Sequence, residues 1–205
     1  RDQMIAIVDD SARLGRYVAA HCHGTPGIYN AIAAGVRTIE HCSFMVPNGI
    51  KYEQEAADAI AEKGIYVCPT MSVGERARQH MEANNMPNPF AATRHQRLED
   101  MRNLLESGVK FVSGSDCGVT MTRFDDFQLD LELMVEHLAM SPADAIITAT
   151  GRAAEALGTD QFGTLAVGKR ADVLMVNGNA LEDIYRLRDI AVVLKSGTAV
   201  VDKAA

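Results

Sequence analysis

The chain contains 205 residues, of which 47% are hydrophobic, and its formal net charge at pH 7 is −7. A chain of this length and composition can bury a sizeable core and form one domain or one and a half. The acidic balance and the lack of a lysine or arginine cluster argue against nucleic acid as a partner. No apolar stretch approaches the ~20 residues of a membrane span and no signal peptide opens the sequence, so no membrane association is predicted.

The cysteines give a further hint about the compartment. The four of them form no CxxC pair, and a disulfide framework is not expected in a chain with this much core. A reducing, cytoplasmic location is therefore predicted. The cysteines are Cys22, Cys42, Cys68 and Cys117.

The first two thirds of the sequence alternate helical and strand-like segments. Apolar residues at helical spacing and short apolar runs define four successive pairs of a helix and a strand. The predicted pairs are helix 2–14 with strand 17–21, helix 26–34 with strand 36–41, helix 52–63 with strand 65–69, and helix 94–106 with strand 109–113.

Glycine separates each of these helices from its strand. Gly15, Gly35, Gly64 and Gly108 stand where a helix needs a left-handed residue at its carboxyl end. Helices alternating with strands imply parallel pairing through right-handed crossovers, so an α/β fold is predicted. With helices predicted at 126–137 and 142–157, residues 1–158 would form about half of a (β/α)8 barrel, which typically needs ~250 residues.

Two segments do not follow the alternation. Residues 71–92, which include Pro87 and Pro89, are predicted to form a long irregular excursion that could overhang the barrel mouth as a lid or specificity loop. Beyond residue 158, short strand-like runs at 163–165, 171–176, 190–195 and 198–201 predict a small β module spanning 159–205.

Three of the predicted strands run into a residue that can bind a metal. They lead into His21, His41 and Asp116, and a barrel of parallel strands brings such positions together at its carboxyl rim. Imidazole is a common zinc ligand, and a carboxylate can also accept the proton of an activated water. The pattern predicts metal-assisted hydrolysis, whereas each histidine taken alone also fits a hydrogen-bonded core residue and Asp116 also fits a turn or cap.

Alternation along a strand bears on the residues next to His21. His21 and His23 should share one face of their strand, while Cys22 faces the other way and becomes a buried thiol if His21 points into the barrel mouth. His80, His95 and His137 stand in helical or polar contexts and are predicted to be surface or scaffold residues.

Several motifs in a fixed order carry a family resemblance. They are VAAHCHG at 18–24, AAGVRTIEH at 33–41, YVCPT at 66–70, GVKFVSGSDCG at 108–118, SPADA at 141–145 and GTLAVGKRADV at 163–173. In this order they resemble the metal-dependent amidohydrolase superfamily, in its imidazolonepropionase-like and Xaa-Pro dipeptidase-like (prolidase-like) branch. The resemblance covers nearly the whole chain but corresponds to the carboxyl-terminal half of a family member, namely barrel strands five to eight and part of a small β-sandwich.

The resemblance implies roles for individual residues. His21 and His41 correspond to the metal-binding histidines of strands five and six, and Asp116 to the strand-eight aspartate that binds metal and transfers protons. The implied cofactor is a binuclear divalent metal centre, with zinc expected. His23 matches the second histidine of an HxHG motif and is expected to support a ligand or contact the substrate.

The same resemblance implies ligands that this sequence lacks. Family members also use an HxH motif on strand one and a carboxylated lysine or a glutamate on strand four, and neither has a counterpart between residues 1 and 205. We therefore expect the amino-terminal half of the barrel to come from the same polypeptide or from a partner chain. A homo-oligomer is compatible with the sequence.

The expected reaction is hydrolysis of an amide-type C–N bond in a small molecule, with dipeptides or N-acyl amino acids favoured, through a metal-activated water. Ester, lactone or organophosphate hydrolysis at the same centre is an alternative, and a catalytically incomplete assembly subunit is another. Arg76 and Arg123 follow the third and fourth predicted strands, where a guanidinium can bind a substrate carboxylate through two hydrogen bonds. Solvated loop arginine is the competing interpretation.

Overall fold

A computed structural model describes residues 1–119 and 121–203 of the chain. Helices and strands alternate through the first part, as the sequence predicts. The elements there are α1 (Asp2–Arg13), β1 (Ala19–Gly24), α2 (Thr25–Ala34), β2 (Thr38–Val46), β3 (Gly49–Ile50), α3 (Gln54–Glu62), β4 (Tyr66–Cys68), α4 (Met71–Ala83), α5 (Ala91–Glu106) and β5 (Lys110–Phe111).

Helices dominate the middle of the chain, and an antiparallel sheet follows. The elements are α6 (Gln128–Leu138), α7 (Pro142–Ala149), α8 (Gly151–Ala156), β6 (Val173–Val176), a 3₁₀ helix (Ile184–Arg188), β7 (Ile190–Lys195) and β8 (Thr198–Asp202). Among the helices of the described residues, none combines the length and the apolar character that crossing a membrane requires.

The first sheet confirms the predicted parallel pairing. Its strands lie in the order β1-β2-β4-β5, all parallel, and β3 pairs antiparallel with the end of β2. Apolar side chains of the strands are fully buried against the helices, as Ile39, Val67 and Phe111 show. Because the strands are parallel, their carboxyl ends meet at one edge, which is called the rim below.

Helix ends follow local signals in the sequence. Gly35 ends α2 in a left-handed conformation, with φ +74°, and its N–H donates to the carbonyls of Ala31 and Ile32. Ser141 begins α7, since its hydroxyl oxygen accepts the N–H of Asp144. These signals lie within a few residues of the ends that they fix, which is why the sequence predicts them.

The prediction of an irregular segment over 71–92 was wrong for its first part. Residues Met71–Ala83 form α4, which carries ion pairs between Arg78 and both Glu75 and Glu82 at helical spacing. Pro87 and Pro89 only follow the end of this helix, so they do not disrupt it.

Two further predictions were wrong. The single helix predicted over 142–157 is broken at Thr150, whose φ of −127° and ψ of −98° separate α7 from α8. The run at 163–165 forms no strand, because Gly163 lies against α8 in a left-handed turn, where an added Cβ would come within 2.6 Å of the Ala154 Cβ.

The remaining strand predictions of the β module are confirmed. β6, β7 and β8 form a separate antiparallel sheet in chain order, and β7 has the predicted bounds. A domain boundary between residues 158 and 159 stays a prediction, and residues 204 and 205 of the predicted second unit lie outside the described residues. All four cysteines are free thiols, and Cys22, Cys42 and Cys68 are buried.

Candidate metal centre

The carboxyl end of β1 presents two histidines to the same side. His21 and His23 are exposed and their ring centroids lie 4.6 Å apart, whereas Cys22 between them is only 2% exposed. Strand alternation, which the sequence predicts for these three positions, therefore holds in the structure. The strand continues past His21 to Gly24, so His21 and His23 both belong to β1 and do not lie beyond its end.

His41 reaches this pair through an irregularity in β2. In the register of the two strands, His21 lies opposite Glu40 and Cys22 lies opposite His41. Residues opposite each other in a parallel pair point to the same face, so regular pairing would place His41 on the buried face of Cys22. Instead the imidazole of His41 lies beside His21, with ring centroids 4.5 Å apart.

The irregularity is a bulge with left-handed backbone. While β1 advances from Cys22 to Gly24, β2 advances from His41 to Met45, which inserts extra residues into β2. Within this stretch φ is +69° at His41, +49° at Cys42 and +50° at Phe44. Bulges redirect side chains next to functional sites, and each such non-glycine residue costs about 1–3 kcal/mol.

The three imidazoles form a compact group of nitrogen donors. One ligand nitrogen from each of His21, His23 and His41 lies within 4.8 Å of the others. His41 Nε2 is 2.9 Å from His21 Nδ1, and the rings of His23 and His41 stack with their centroids 4.4 Å apart. This is the only such group of histidine, cysteine or acidic side chains in the part of the chain that the structure describes.

Thr70 fixes which nitrogen of His41 carries the proton. The Thr70 hydroxyl donates its single hydrogen to the carbonyl of Pro69 at 2.8 Å, so its oxygen is left to accept from His41 Nδ1 at 2.7 Å. His41 is therefore protonated at Nδ1, and its Nε2 offers a lone pair toward His21. Such support by a hydrogen bond to the second ring nitrogen is typical of metal-binding histidine.

Sequence reasoning missed Thr70 and Ser43 as parts of the site. Ser43 Oγ lies 2.8 Å from Nδ1 of His23 and supports that ring in the same way. The available signal for Thr70 was its position: a hydroxyl directly after the Cys68-Pro69 strand end, on the same rim as the histidines. No comparable signal marks Ser43, because it lies in the part of β2 that the irregular pairing brings to the rim.

Electrostatics favour neutral imidazoles in this group. Burial lowers the pKa of His41 to about 4, helped by the positive potential of His23, His21 and Arg97. Burial also lowers the pKa of His23, again with a contribution from His21 and Arg97. Neutral imidazole is the form that binds a metal, so both rings are ready to act as ligands at neutral pH.

Asp116 lies beside the histidine group without belonging to it. Its negative charge acts on the pKa values of both His23 and His41, in the direction that opposes burial. The side chain is exposed and its backbone is left-handed, with φ +50°. Gly114, two residues earlier, lets the chain pass close to Cys68, because an added Cβ would come within 2.5 Å of the Cys68 sulfur.

The two arginines predicted to contact a substrate line a separate cavity of about 370 Å³. Arg76 is paired with Asp126 and hydrogen-bonded to Gln79. Arg123 makes two hydrogen bonds to Asp125, at 2.8 and 2.5 Å, and both side chains are exposed. Each guanidinium therefore already has a carboxylate partner within the chain.

The donor set fits a divalent metal ion. Three converging imidazole nitrogens with a carboxylate nearby are a donor set that could hold such an ion. No lysine or arginine side chain donates a hydrogen bond to a ring nitrogen of the group, within the residues that the structure describes.

Comparison with known proteins identifies similar sequences. The model of a family described as the amidohydrolase family matches residues 1–200. Ochratoxinase from Aspergillus niger is 31% identical over 191 residues, which are 89% of this chain and 37% of that protein. Imidazolonepropionase from Rhodococcus jostii is 26% identical over 182 residues, which are 86% of this chain and 38% of that protein.

A solved structure extends the likeness to the fold. The crystal structure of a Xaa-Pro dipeptidase with methionine bound in its active site is 34% identical and superposes with a TM-score of 0.81. The match covers 96% of this chain and 47% of the dipeptidase. The prediction of half a (β/α)8 barrel with part of a second sheet is thereby confirmed, and the chain spans less than half the length of these relatives.

Proposed function

The chain belongs to the amidohydrolase family, and we propose that it forms the carboxyl-terminal half of the active site of a metal-dependent hydrolase that cleaves an amide-type C–N bond. One observation carries this proposal. The bulge in β2 brings the imidazole of His41 next to His21 and His23, so that one nitrogen from each of the three rings converges within 4.8 Å.

We assign His21, His41 and Asp116 as metal ligands from this chain. Zinc is the favoured ion because the site offers imidazole nitrogens and a carboxylate oxygen. When bound, such an ion makes water a competent nucleophile at neutral pH and polarises the carbonyl of the substrate. The further ligands of a binuclear centre would come from the amino-terminal half of the barrel, in the same polypeptide or in a partner chain.

Asp116 is the proposed proton carrier. Its carboxylate is exposed in the segment that follows β5. Its charge raises the pKa of both His23 and His41. From this position it can accept a proton from the attacking water and deliver it to the leaving amine. His23 is exposed and its Nδ1 lies 2.8 Å from Ser43 Oγ, and we assign it a contact with the substrate or the support of a ligand.

The proposed substrates are dipeptides or N-acyl amino acids. Support comes from the likeness to a Xaa-Pro dipeptidase and from the two arginines that line the separate cavity described above. Arg123 is the stronger candidate for a substrate carboxylate, since its partner Asp125 is exposed and can be exchanged. Arg76 is held by the buried Asp126 and would act mainly by shaping that side of the cavity.

A substrate panel tests the proposal. The full-length protein, with its amino-terminal half and zinc, should hydrolyse dipeptides or N-acyl amino acids faster than aryl esters. Asp116→Asn should lower turnover by roughly 10²- to 10⁴-fold, the usual contribution of a positioned acid or base. The antiparallel sheet of β6, β7 and β8 is called the outer sheet below. Asp172→Asn, which alters an aspartate directly before β6 of this sheet, serves as the matched control and should leave turnover unchanged. Activity on esters alone, or full activity of Asp116→Asn, would contradict the proposal.

A further inference from the structure

Arg97 is a half-buried cation on α5 whose guanidinium reaches the rim. Its guanidinium donates hydrogen bonds to three backbone carbonyls, those of His41 at 2.5 Å, Cys42 at 3.0 Å and Pro69 at 3.3 Å. The first two carbonyls belong to β2 and the third follows β4. One side chain therefore ties together the carboxyl ends of two neighbouring strands.

Arg97 differs from its neighbours on α5 in binding carbonyls of two different strand ends. Within the described residues Arg97 has no carboxylate at ion-pairing distance, and all three of its acceptors are backbone carbonyls. Arg94 and Arg102 on the same helix differ from it, since Arg94 pairs with Glu75 and Arg102 is an exposed side chain that donates to the carbonyl of His137. Hydrogen bonds from a charged donor are stronger than those between neutral groups, so a guanidinium that binds three carbonyls can hold them in place.

All three carbonyls bear on how His41 is placed at the rim. His41 and Cys42 are the left-handed residues at which β2 leaves its regular register, so Arg97 binds the bulge itself. The Pro69 carbonyl also accepts the hydroxyl hydrogen of Thr70, which forces the Thr70 oxygen to accept from Nδ1 of His41. Arg97 thus contacts both the backbone that carries His41 and the carbonyl that sets the protonation of its ring.

We propose that Arg97 is a positioning residue that locks the β2 bulge and thereby aims Nε2 of His41 at the metal. The inference rests on the proposed function for the presence of a metal, and it adds the device that holds the ligand. A lysine cannot replace Arg97, because a single ammonium cannot match a planar fork that serves carbonyls on two strands.

Zinc affinity provides the main test. Competition with a chromophoric chelator measures the zinc dissociation constant of the full-length protein and of Arg97→Lys and Arg97→Met, while circular dichroism checks the fold. We expect both variants to bind zinc about 10- to 100-fold more weakly, the usual effect of losing a group that orients a ligand. Arg102→Lys is the matched control on the same helix and should bind zinc like the unchanged protein.

The outcomes separate this inference from the proposed function. If the unchanged protein binds no zinc, the proposed function fails. If it binds zinc and a folded Arg97→Lys variant binds equally tightly, the role of Arg97 is overturned. Imidazole ¹⁵N shifts give a second readout, because His41 should lose its fixed Nδ1–H form in the variants but keep it in the control.

A measurement on the unchanged protein covers the case in which neither variant folds. The Nη protons of Arg97 should exchange slowly with solvent and show through-hydrogen-bond coupling to the carbonyl carbons of His41 and Cys42. Rapid exchange without such coupling would overturn the inference.

Discussion

Left-handed backbone occurs both at the rim of the parallel sheet and in the antiparallel sheet β6–β8, but for different reasons. In the antiparallel sheet, Ser196 and Gly197 have φ of +50° and +82° and form the two-residue turn between β7 and β8. Both signs match the turn that a twisted hairpin requires. At the rim, His41, Thr70 and Asp116 have positive φ where no hairpin turn requires it.

The difference shows where the chain accepts strain. In the hairpin, a small residue and a glycine adopt the conformation at low cost, and the turn closes the sheet. At the rim, a histidine, a threonine and an aspartate adopt it, and Arg97 donates hydrogen bonds to the carbonyls of His41 and of Pro69, which precedes Thr70. Strain that is held by its surroundings is typical of functional sites, so the rim and the outer sheet should respond differently to the same kind of change.

Removing one carboxylate from each region should give the largest contrast. Arg78, Gln79 and Arg94 lower the pKa of Glu75, on the helix that follows the rim, from 4.5 to about 2. Because the pKa is lower in the folded state, ionised Glu75 stabilises the fold above pH 4.5, and this stabilisation is lost as the pH falls toward 2. Glu75→Gln should cost on the order of 3 kcal/mol of unfolding free energy at pH 7, and less at pH 3.5.

Asp172 is the matched residue in the outer sheet. The backbone N–H of Ser196 lowers its pKa, but the carboxylate is open to solvent. Urea unfolding at pH 7 and pH 3.5 should show a clearly smaller loss for Asp172→Asn than for Glu75→Gln. Equal losses in the two variants at pH 7 would break the contrast between the regions.

Adding a methyl group to one glycine in each region should give a smaller contrast. A Cβ at Gly114 would lie 2.5 Å from the Cys68 sulfur, whereas a Cβ at Gly197 meets nothing within 4 Å and suffers only from its φ of +82°. Gly114→Ala should lower the unfolding free energy by about 1–3 kcal/mol through overpacking, and should also weaken zinc binding at the adjacent rim. Gly197→Ala should cost ~1 kcal/mol and leave zinc binding unchanged. Chemical denaturation and a zinc titration check both variants. Weakened zinc binding in Gly197→Ala would contradict the contrast between the rim and the outer sheet.

The predicted fold depended on local signals, and so did its errors. Glycines after helices and apolar runs between them located the strands, and β7 was predicted with its observed bounds. Pro87 and Pro89 made residues 71–92 look irregular, although they lie beyond the end of α4. The break between α7 and α8 at Thr150 was missed because helical periodicity continues across it.

The sequence predicted that His21 and His41 lie close together at the rim, and the structure confirms this proximity, while their roles as metal ligands stay a prediction. His21, His41 and Asp116 stand out because each follows a predicted strand. The bulge that turns His41 toward His21 left no pattern in the sequence, and its contacts with Arg97 join residues that lie 55 and 56 positions apart. Long-range contacts of this kind decide side-chain direction, and no local periodicity reports them.

The zinc content of the full-length protein tests the central claim most directly. Elemental analysis after dialysis against a metal-free buffer should find at least one zinc ion per chain, and His41→Asn should lose zinc. His95→Asn, which changes an exposed histidine on α5, is the control and should keep it. A zinc-free unchanged protein, or a His41→Asn variant with the full zinc content, would contradict the account.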